Sequence, residues 1–113
     1  MFFFKRTATD EETTVDALHA RLANDDHVFM LDVRQPDEYR EAHVGGSTLI
    51  PLDQLVQRLD ELPRDRQIVA ICRTGNRSGV ATGMLRRAGF DAINLKGGIV
   101  QWQKRGLPVE RGR

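Results

Sequence analysis

Short apolar runs alternate along the chain with segments whose apolar residues recur every three or four positions. The runs at 28–31, 67–71 and 92–95 have the length and composition of buried strands. Apolar residues at helical spacing mark four further segments: Val15, Leu18 and Leu22; Leu52, Leu55, Val56 and Leu59; Ala81, Met84, Leu85 and Ala88; and Ile99, Val100 and Trp102. A fifth helix is predicted at Pro36 to Tyr39, where a proline and acidic residues favour a helix first turn. This alternation predicts an α/β fold with a central, mostly parallel sheet covered on both faces.

The most informative loop follows the second apolar run and reads Cys72-Arg73-Thr74-Gly75-Asn76-Arg77-Ser78-Gly79. It places the chain's single cysteine at a strand-to-helix turn. The first amides of a helix lack intrahelical partners and favour a thiolate or an anion, and two arginines add positive charge. Ligands of parallel sheets bind beyond the carboxyl ends of the strands, where Asp32 also lies. We therefore predict that Cys72 is a nucleophile.

Composition narrows the classes of partner and setting. The 113 residues suit one domain, and 17 basic against 16 acidic residues give no reason to expect a nucleic acid partner. No apolar stretch approaches the roughly 18 residues of a membrane helix, so no membrane association is expected. One cysteine fits a reducing, cytoplasmic setting. No pair of histidines has the spacing of metal ligands, so we expect no metal.

From about Thr14 to Val109 the chain resembles the rhodanese family of sulfurtransferases. The resemblance is carried by Leu31-Asp32-Val33-Arg34 with Glu38-Tyr39, by Ala42-His43-Val44-Gly45-Gly46-Ser47 with Ile50-Pro51, by Cys72 to Ser78, and by Leu95-Lys96-Gly97-Gly98 with Trp102. It implies a three-layer α/β/α domain with about five strands. We place that domain at 13–109, between an N-terminal lead-in at 1–12 and a C-terminal tail at 110–113.

The resemblance also implies a chemistry. Cys72 would take the outer sulfur of thiosulfate or a similar small sulfur-containing anion, hold it as a persulfide, and pass it to cyanide or to a thiol, including a protein thiol. The substrate-binding loop would comprise Arg73, Thr74, Gly75, Asn76 and Arg77, supported from behind by Asp32, Arg34 and Ser78. Arg73 is expected at the mouth and Arg77 as the brace of the loop. No cofactor is implied, and the expected state is a monomer or weak homodimer.

Three other functions are considered for this loop. It would serve a protein-fed persulfide carrier, or a redox sensor in which Cys72 is oxidised. A phosphatase-like enzyme is disfavoured, because related phosphatase loops have five residues between the cysteine and the arginine and this loop has four.

Structural or surface roles, rather than catalytic ones, are expected for several other residues. Asp32 and Arg34 are interpreted as a structural ion pair, and His43 as a structural histidine that ties its loop to the core. We expect Tyr39 and Trp102 to be packing anchors. Surface positions are expected for His19, for His27 and for the basic residues from Lys104 to Arg113. The three aromatic rings of Phe2 to Phe4 are hypothesised to pack on another subunit or a partner.

Overall fold

The computed structural model describes residues 11–112, so the hypothesis about Phe2 to Phe4 lies outside the described part of the chain. In this described part, five parallel strands form one sheet in the order β1-β5-β4-β2-β3. The strands are β1 (Glu12–Thr13), β2 (Phe29–Asp32), β3 (Thr48–Leu49), β4 (Ile68–Ile71) and β5 (Ala92–Leu95). The predicted α/β fold, with its mostly parallel sheet of about five strands, is confirmed.

Within residues 11–112, four α-helices connect or flank these strands. They are α1 (Val15–Ala23), α2 (Pro36–Glu41), α3 (Asn76–Arg87) and α4 (Gly98–Lys104). At the start of α1 the Thr14 hydroxyl accepts a 3.1 Å hydrogen bond from the Ala17 amide. At the start of α2 the Glu38 carboxylate accepts one of 2.9 Å from the Gln35 amide, and Pro36 supplies the preset first helical residue.

The two faces of β4 build the two halves of the core. Ile68 and Ala70 pack on the face that α3 covers, in one cluster with Leu85. The intervening Val69 and Ile71 pack on the opposite face, in a cluster to which α1 and α4 contribute Leu18 and Trp102. Because successive residues of a strand point to opposite faces, an apolar run without alternation requires cover on both sides. The result is three layers.

The helix predicted over Leu52 to Leu59 is wrong in type. The structure has two 3₁₀ segments there, Leu52–Gln54 and Val56–Glu61, and a non-helical backbone at Arg58 interrupts the second. The leucines at 52 and 55, and those at 59 and 62, are three apart and are joined by i to i+3 hydrogen bonds. Such spacing fits one face of either helix type, and Val56, predicted on the apolar face, is 65% exposed.

The C-terminal residues dock against the rest of the fold. Glu110 and His43 exchange two backbone hydrogen bonds of 2.9 and 2.8 Å in an antiparallel bridge, and the Gly112 amide donates to the Arg40 carbonyl at 2.7 Å. The surface position predicted for His19 is wrong in part, because its ring packs edge-on against Trp102 and the residue is half-buried.

Candidate active site

Cys72 follows β4 directly and is 1% exposed. The loop after it turns at Gly75, whose φ of 109° lies in the left-handed region that favours glycine. This turn brings the Gly75 amide to 3.1 Å from Cys72 Sγ and starts α3 at Asn76. The side chains of Thr74 and Asn76, both predicted for the loop, are exposed to solvent. The backbone rather than these side chains therefore surrounds the sulfur.

The pKa of the Cys72 thiol is lowered from its ordinary value. Burial is the largest single influence and acts to raise this pKa, but hydrogen bonds outweigh it. They come from the Ser78 hydroxyl, whose oxygen is 3.2 Å from Sγ, and from the amides of Ser78, Gly75 and Thr74. The result favours the thiolate, which is the nucleophilic form.

Arg77 forms a two-pronged ion pair with Glu38 of α2. Its Nη1 and Nη2 atoms donate to the two carboxylate oxygens at 2.7 and 2.8 Å. The hydrogen bonds from Arg77 are the main reason that the pKa of Glu38 falls to about 2. The same contact raises the pKa of Arg77, with smaller contributions from Cys72 and Asp32. Arg77 thus ties the start of α3 to α2.

Asp32 and Arg34 form a fully buried ion pair at the end of β2. Arg34 Nη2 and Nε donate to Asp32 at 2.8 and 2.9 Å, and Nη2 also donates to the Ala42 carbonyl at 2.7 Å. Asp32 is 0% exposed and Arg34 3% exposed. This geometry ties β2 to the end of α2, and nearby His43 stacks on Tyr39 with its Nδ1 2.7 Å from the Tyr39 carbonyl.

Asn94, which sequence reasoning missed, lies in β5 directly behind the loop. Its Nδ2 donates to the Gly75 carbonyl at 3.1 Å, and its Oδ1 is 2.5 Å from the Ser78 hydroxyl oxygen. It is 8% exposed. One signal was available, because an asparagine within the apolar run 92–95 has to satisfy its amide inside the protein.

The start of α4 holds the loop from the other side. The amides of Ile99 and Val100 donate to the carbonyls of Cys72 and Arg73 at 2.9 and 3.0 Å. A Cβ at Gly98 would lie 2.4 Å from the Cys72 carbonyl oxygen. Glycine is therefore required for this close approach of the two backbones.

A cavity of about 380 Å³ opens beside the loop. Its lining carries one net positive charge and consists of Arg34, Glu38, Glu41, Ala42, Arg73, Ile99, Val100, Gln103 and Arg111. Two of its charges are committed elsewhere, Arg34 to Asp32 and Glu38 to Arg77. Within residues 11–112, Arg73 and Arg111 form no ion pair, and Arg111 is held by a 2.7 Å hydrogen bond to the Glu41 carbonyl. The Glu41 carboxylate is the other charge of the lining without an ion pair among these residues, so the two guanidinium groups leave one net positive charge for a bound anion.

The described residues 11–112 contain no cluster of histidine, cysteine, aspartate and glutamate that could hold a metal ion. Across the same residues, no helix combines the length and the apolar character that a bilayer span requires.

Comparison with known proteins gives a consistent result. A family model described as Rhodanese-like domain matches residues 14–105. A sulfurtransferase of Allochromatium vinosum is 34% identical over 99 residues, which cover 87% of this chain and 92% of that protein. A putative sulfur carrier protein, YrkF of Bacillus subtilis, is 34% identical over 92 residues, 80% of this chain and 50% of that protein. The crystal structure of a rhodanese-related protein from Thermoplasma volcanium superposes with a TM-score of 0.83 at 30% identity, covering 88% of this chain and 97% of the other.

Proposed function

This chain belongs to the rhodanese-like domain family, and on that premise we propose that it moves the outer sulfur of thiosulfate to a thiol or to cyanide through a persulfide on Cys72. Sulfur transfer in general follows from the family. The donor, the acceptor and the roles of the individual residues are the substance of the proposal.

The proposed reaction has two halves. The Cys72 thiolate attacks the outer sulfur of thiosulfate, a bond forms between Sγ and that sulfur, and the bond to the central sulfur breaks as sulfite leaves with its electron pair. An acceptor thiolate, or cyanide, then attacks the outer sulfur of the persulfide, and Cys72 leaves as the thiolate. No oxidant is consumed, and the two halves predict ping-pong kinetics.

The observation that carries this proposal is the convergence of donors on the Cys72 sulfur. The Gly75 amide at 3.1 Å and the Ser78 hydroxyl at 3.2 Å stabilise negative charge on Sγ without a metal or a general base. That charge is present before the attack and again when Cys72 leaves. A single pre-formed set of donors therefore suits both halves of the reaction.

The adjacent cavity supports an anionic donor. Arg73 follows the nucleophile in sequence, and Arg111 reaches the same cavity from the C-terminal segment. Two guanidinium groups that have no carboxylate partner within the described residues attract an anion such as thiosulfate and hold its charged oxygens. We assign Arg73 and Arg111 to donor binding, and Arg77 to bracing the loop through Glu38.

Intact-protein mass spectrometry tests the proposal. Reduced protein mixed with thiosulfate is expected to gain one sulfur, about 32 Da, which cyanide then removes. The Cys72→Ser variant, whose fold is checked by circular dichroism, is expected to gain nothing and to have no turnover. A cyanide-sensitive gain in this variant would contradict the role of Cys72, and no gain in the folded wild type would contradict thiosulfate as donor.

A second candidate is a carrier that receives its persulfide from another protein. It is favoured by the similarity to a protein named a putative sulfur carrier. Slow loading by thiosulfate, together with fast loading from a protein persulfide, would support the carrier. Either function suits the cytoplasm as the proposed setting, since a reducing compartment keeps a lone cysteine free.

A further inference from the structure

The hydroxyl group of Ser78 lies between two hydrogen-bond acceptors. Its oxygen is 3.2 Å from Cys72 Sγ and 2.5 Å from Asn94 Oδ1. Ser78 is 0% exposed, so water has no access to this hydroxyl. A hydroxyl has one hydrogen and can donate it to one of these acceptors at a time. The Ser78 hydroxyl therefore has two alternative hydrogen bonds, one to the sulfur and one to the amide oxygen.

The orientation of the Asn94 amide is fixed by its other partner. The Gly75 carbonyl only accepts hydrogen bonds, so the atom 3.1 Å from it is the donating Nδ2 and Oδ1 faces Ser78. β5 holds Asn94 in register, opposite Ala70 of β4. The amide thus links the turn at Gly75 to the hydroxyl that serves the nucleophile.

We propose that Asn94 is a positioning residue for sulfur transfer. Its Oδ1 accepts the hydrogen bond of the Ser78 hydroxyl while Cys72 carries the persulfide, and the hydroxyl donates to Sγ instead while Cys72 is a thiolate. This inference rests on the proposed function. A thiolate is a charged and therefore stronger acceptor than a neutral amide oxygen, so the Ser78 hydroxyl donates to Sγ while Cys72 is a thiolate. The inner sulfur of a persulfide is neutral and is a weak hydrogen-bond acceptor, so the Ser78 hydroxyl then donates to Oδ1.

The negative charge on Sγ can therefore form and be lost while the buried Ser78 hydroxyl always has a hydrogen-bond acceptor. When Sγ bonds to the incoming sulfur, Asn94 Oδ1 becomes the acceptor of the Ser78 hydroxyl, and the exchange is reversed when the acceptor thiol removes that sulfur. The hydroxyl keeps its hydrogen throughout, and no proton is gained or lost. An unpartnered buried hydroxyl would otherwise raise the free energy of one of the two states.

The test compares Asn94→Leu, Ser78→Ala and the double variant, each as the full chain. The pH midpoint of iodoacetamide alkylation reports the thiolate. In the neutral thiol, as in the persulfide, the Ser78 hydroxyl donates to Asn94 Oδ1. Asn94→Leu removes that acceptor and so destabilises the thiol relative to the thiolate, and we expect the midpoint to fall by about half a pH unit to one unit. In Ser78→Ala we expect it to rise by a similar amount. Because Asn94 acts through Ser78, the double variant should match Ser78→Ala.

Three features make this outcome specific. The charged groups on the neighbouring elements are unchanged in every variant: Glu11 and Glu12 beside Asn94, and Asp32, Arg34, Glu38, Arg73 and Arg77 around the loop. Thr82→Val is the control, because it removes a 2% exposed hydroxyl that donates to the Ser78 carbonyl rather than to the sulfur, and it should leave the midpoint in place. If Asn94→Leu fails to fold, Asn94→Val gives the same expectation, since a β-branched side chain suits a strand and also offers Ser78 no acceptor.

The persulfide step supplies a second readout. We expect loading by thiosulfate to slow several-fold in Asn94→Leu, because the hydrogen no longer has an acceptor when the sulfur becomes neutral. An unchanged midpoint, or the same shift with and without Ser78, would overturn the inference and leave Asn94 a structural residue. Alkylation needs no sulfur donor. A protein that never loads sulfur but shows the predicted midpoints would therefore contradict the proposed function and not the hydrogen-bond arrangement.

Discussion

The guanidinium of Arg77 and the carboxylate of Glu38 meet in parallel, with Nη1 2.7 Å from Oε1 and Nη2 2.8 Å from Oε2. This contact joins the helix that follows the cysteine loop to the helix that follows β2. Paired in this way, Arg77 contributes less net field at the sulfur than its sequence position alone suggests. Its geometry is that of a brace, while Arg73 and Arg111 face the cavity.

Glu38→Gln should make the free energy of unfolding depend less on pH in the acid range. The pKa of Glu38 is about 2 in the folded protein against an ordinary 4.5, so the unfolded chain binds the proton more readily. This stabilisation is complete above about pH 4.5 and disappears as the pH falls through about 2. Because both side chains are partly exposed, it amounts to less than about 1 kcal/mol. Urea unfolding between pH 2 and 6 measures it.

The matched control is Glu61→Gln, which breaks an exposed pair with Arg58 and should change this pH dependence less. A Glu38→Gln protein that keeps the full wild-type slope between pH 2 and 4.5 would show that the pair adds nothing to stability.

Asp32→Asn should destabilise the fold by about 3 kcal/mol, because it leaves the Arg34 charge buried without a counter-charge. The same substitution at Asp26, which pairs with Arg21 at the surface, should have little effect. Denaturant unfolding at pH 7 measures both. Equal losses at the two positions would be inconsistent with a special role for the buried pair.

Gly98→Ala should destabilise the protein by more than about 3 kcal/mol and abolish persulfide formation, because its Cβ would overlap the backbone oxygens of Cys72 and Arg73. Gly106→Ala is the control. Gly106 also has a positive φ, 71°, but its Cβ would meet nothing within 4 Å, so strain of about 1 kcal/mol is expected. Thermal unfolding and mass spectrometry report the two effects. A folded, fully active Gly98→Ala protein would refute the close approach of α4 to the loop.

Arg111→Gln should raise the KM for thiosulfate about two- to fivefold and leave kcat nearly unchanged, since the side chain attracts the donor without touching the sulfur. The effect should fade at high salt. Arg105→Gln removes the same charge where it pairs with Asp16, away from the cavity, and should leave KM unchanged. Steady-state kinetics at low and high ionic strength decide the matter, and equal effects of the two variants would assign any change to net charge alone.

Much of the fold followed from local pattern. The apolar runs located β2, β4 and β5, and helical spacing located α1, α3 and α4. The α-helix predicted in the segment from Leu52 to Leu62 was wrong, because leucines three residues apart fit a 3₁₀ helix as well as an α-helix. The packing that chooses between them belongs to the folded protein, not to the spacing.

The sequence by itself determined that Cys72 lies at a strand-to-helix turn with a glycine-bearing loop after it, since the residues that define that turn are neighbours in the chain. Only the tertiary structure decided which distant side chains complete the site. Glu38 reaches Arg77 across 39 positions, Asn94 reaches Ser78 across 16, and Arg111 reaches the cavity from the C-terminal segment. These contacts depend on the strand order β1-β5-β4-β2-β3 and on where the C-terminal segment docks, and local periodicity does not encode either.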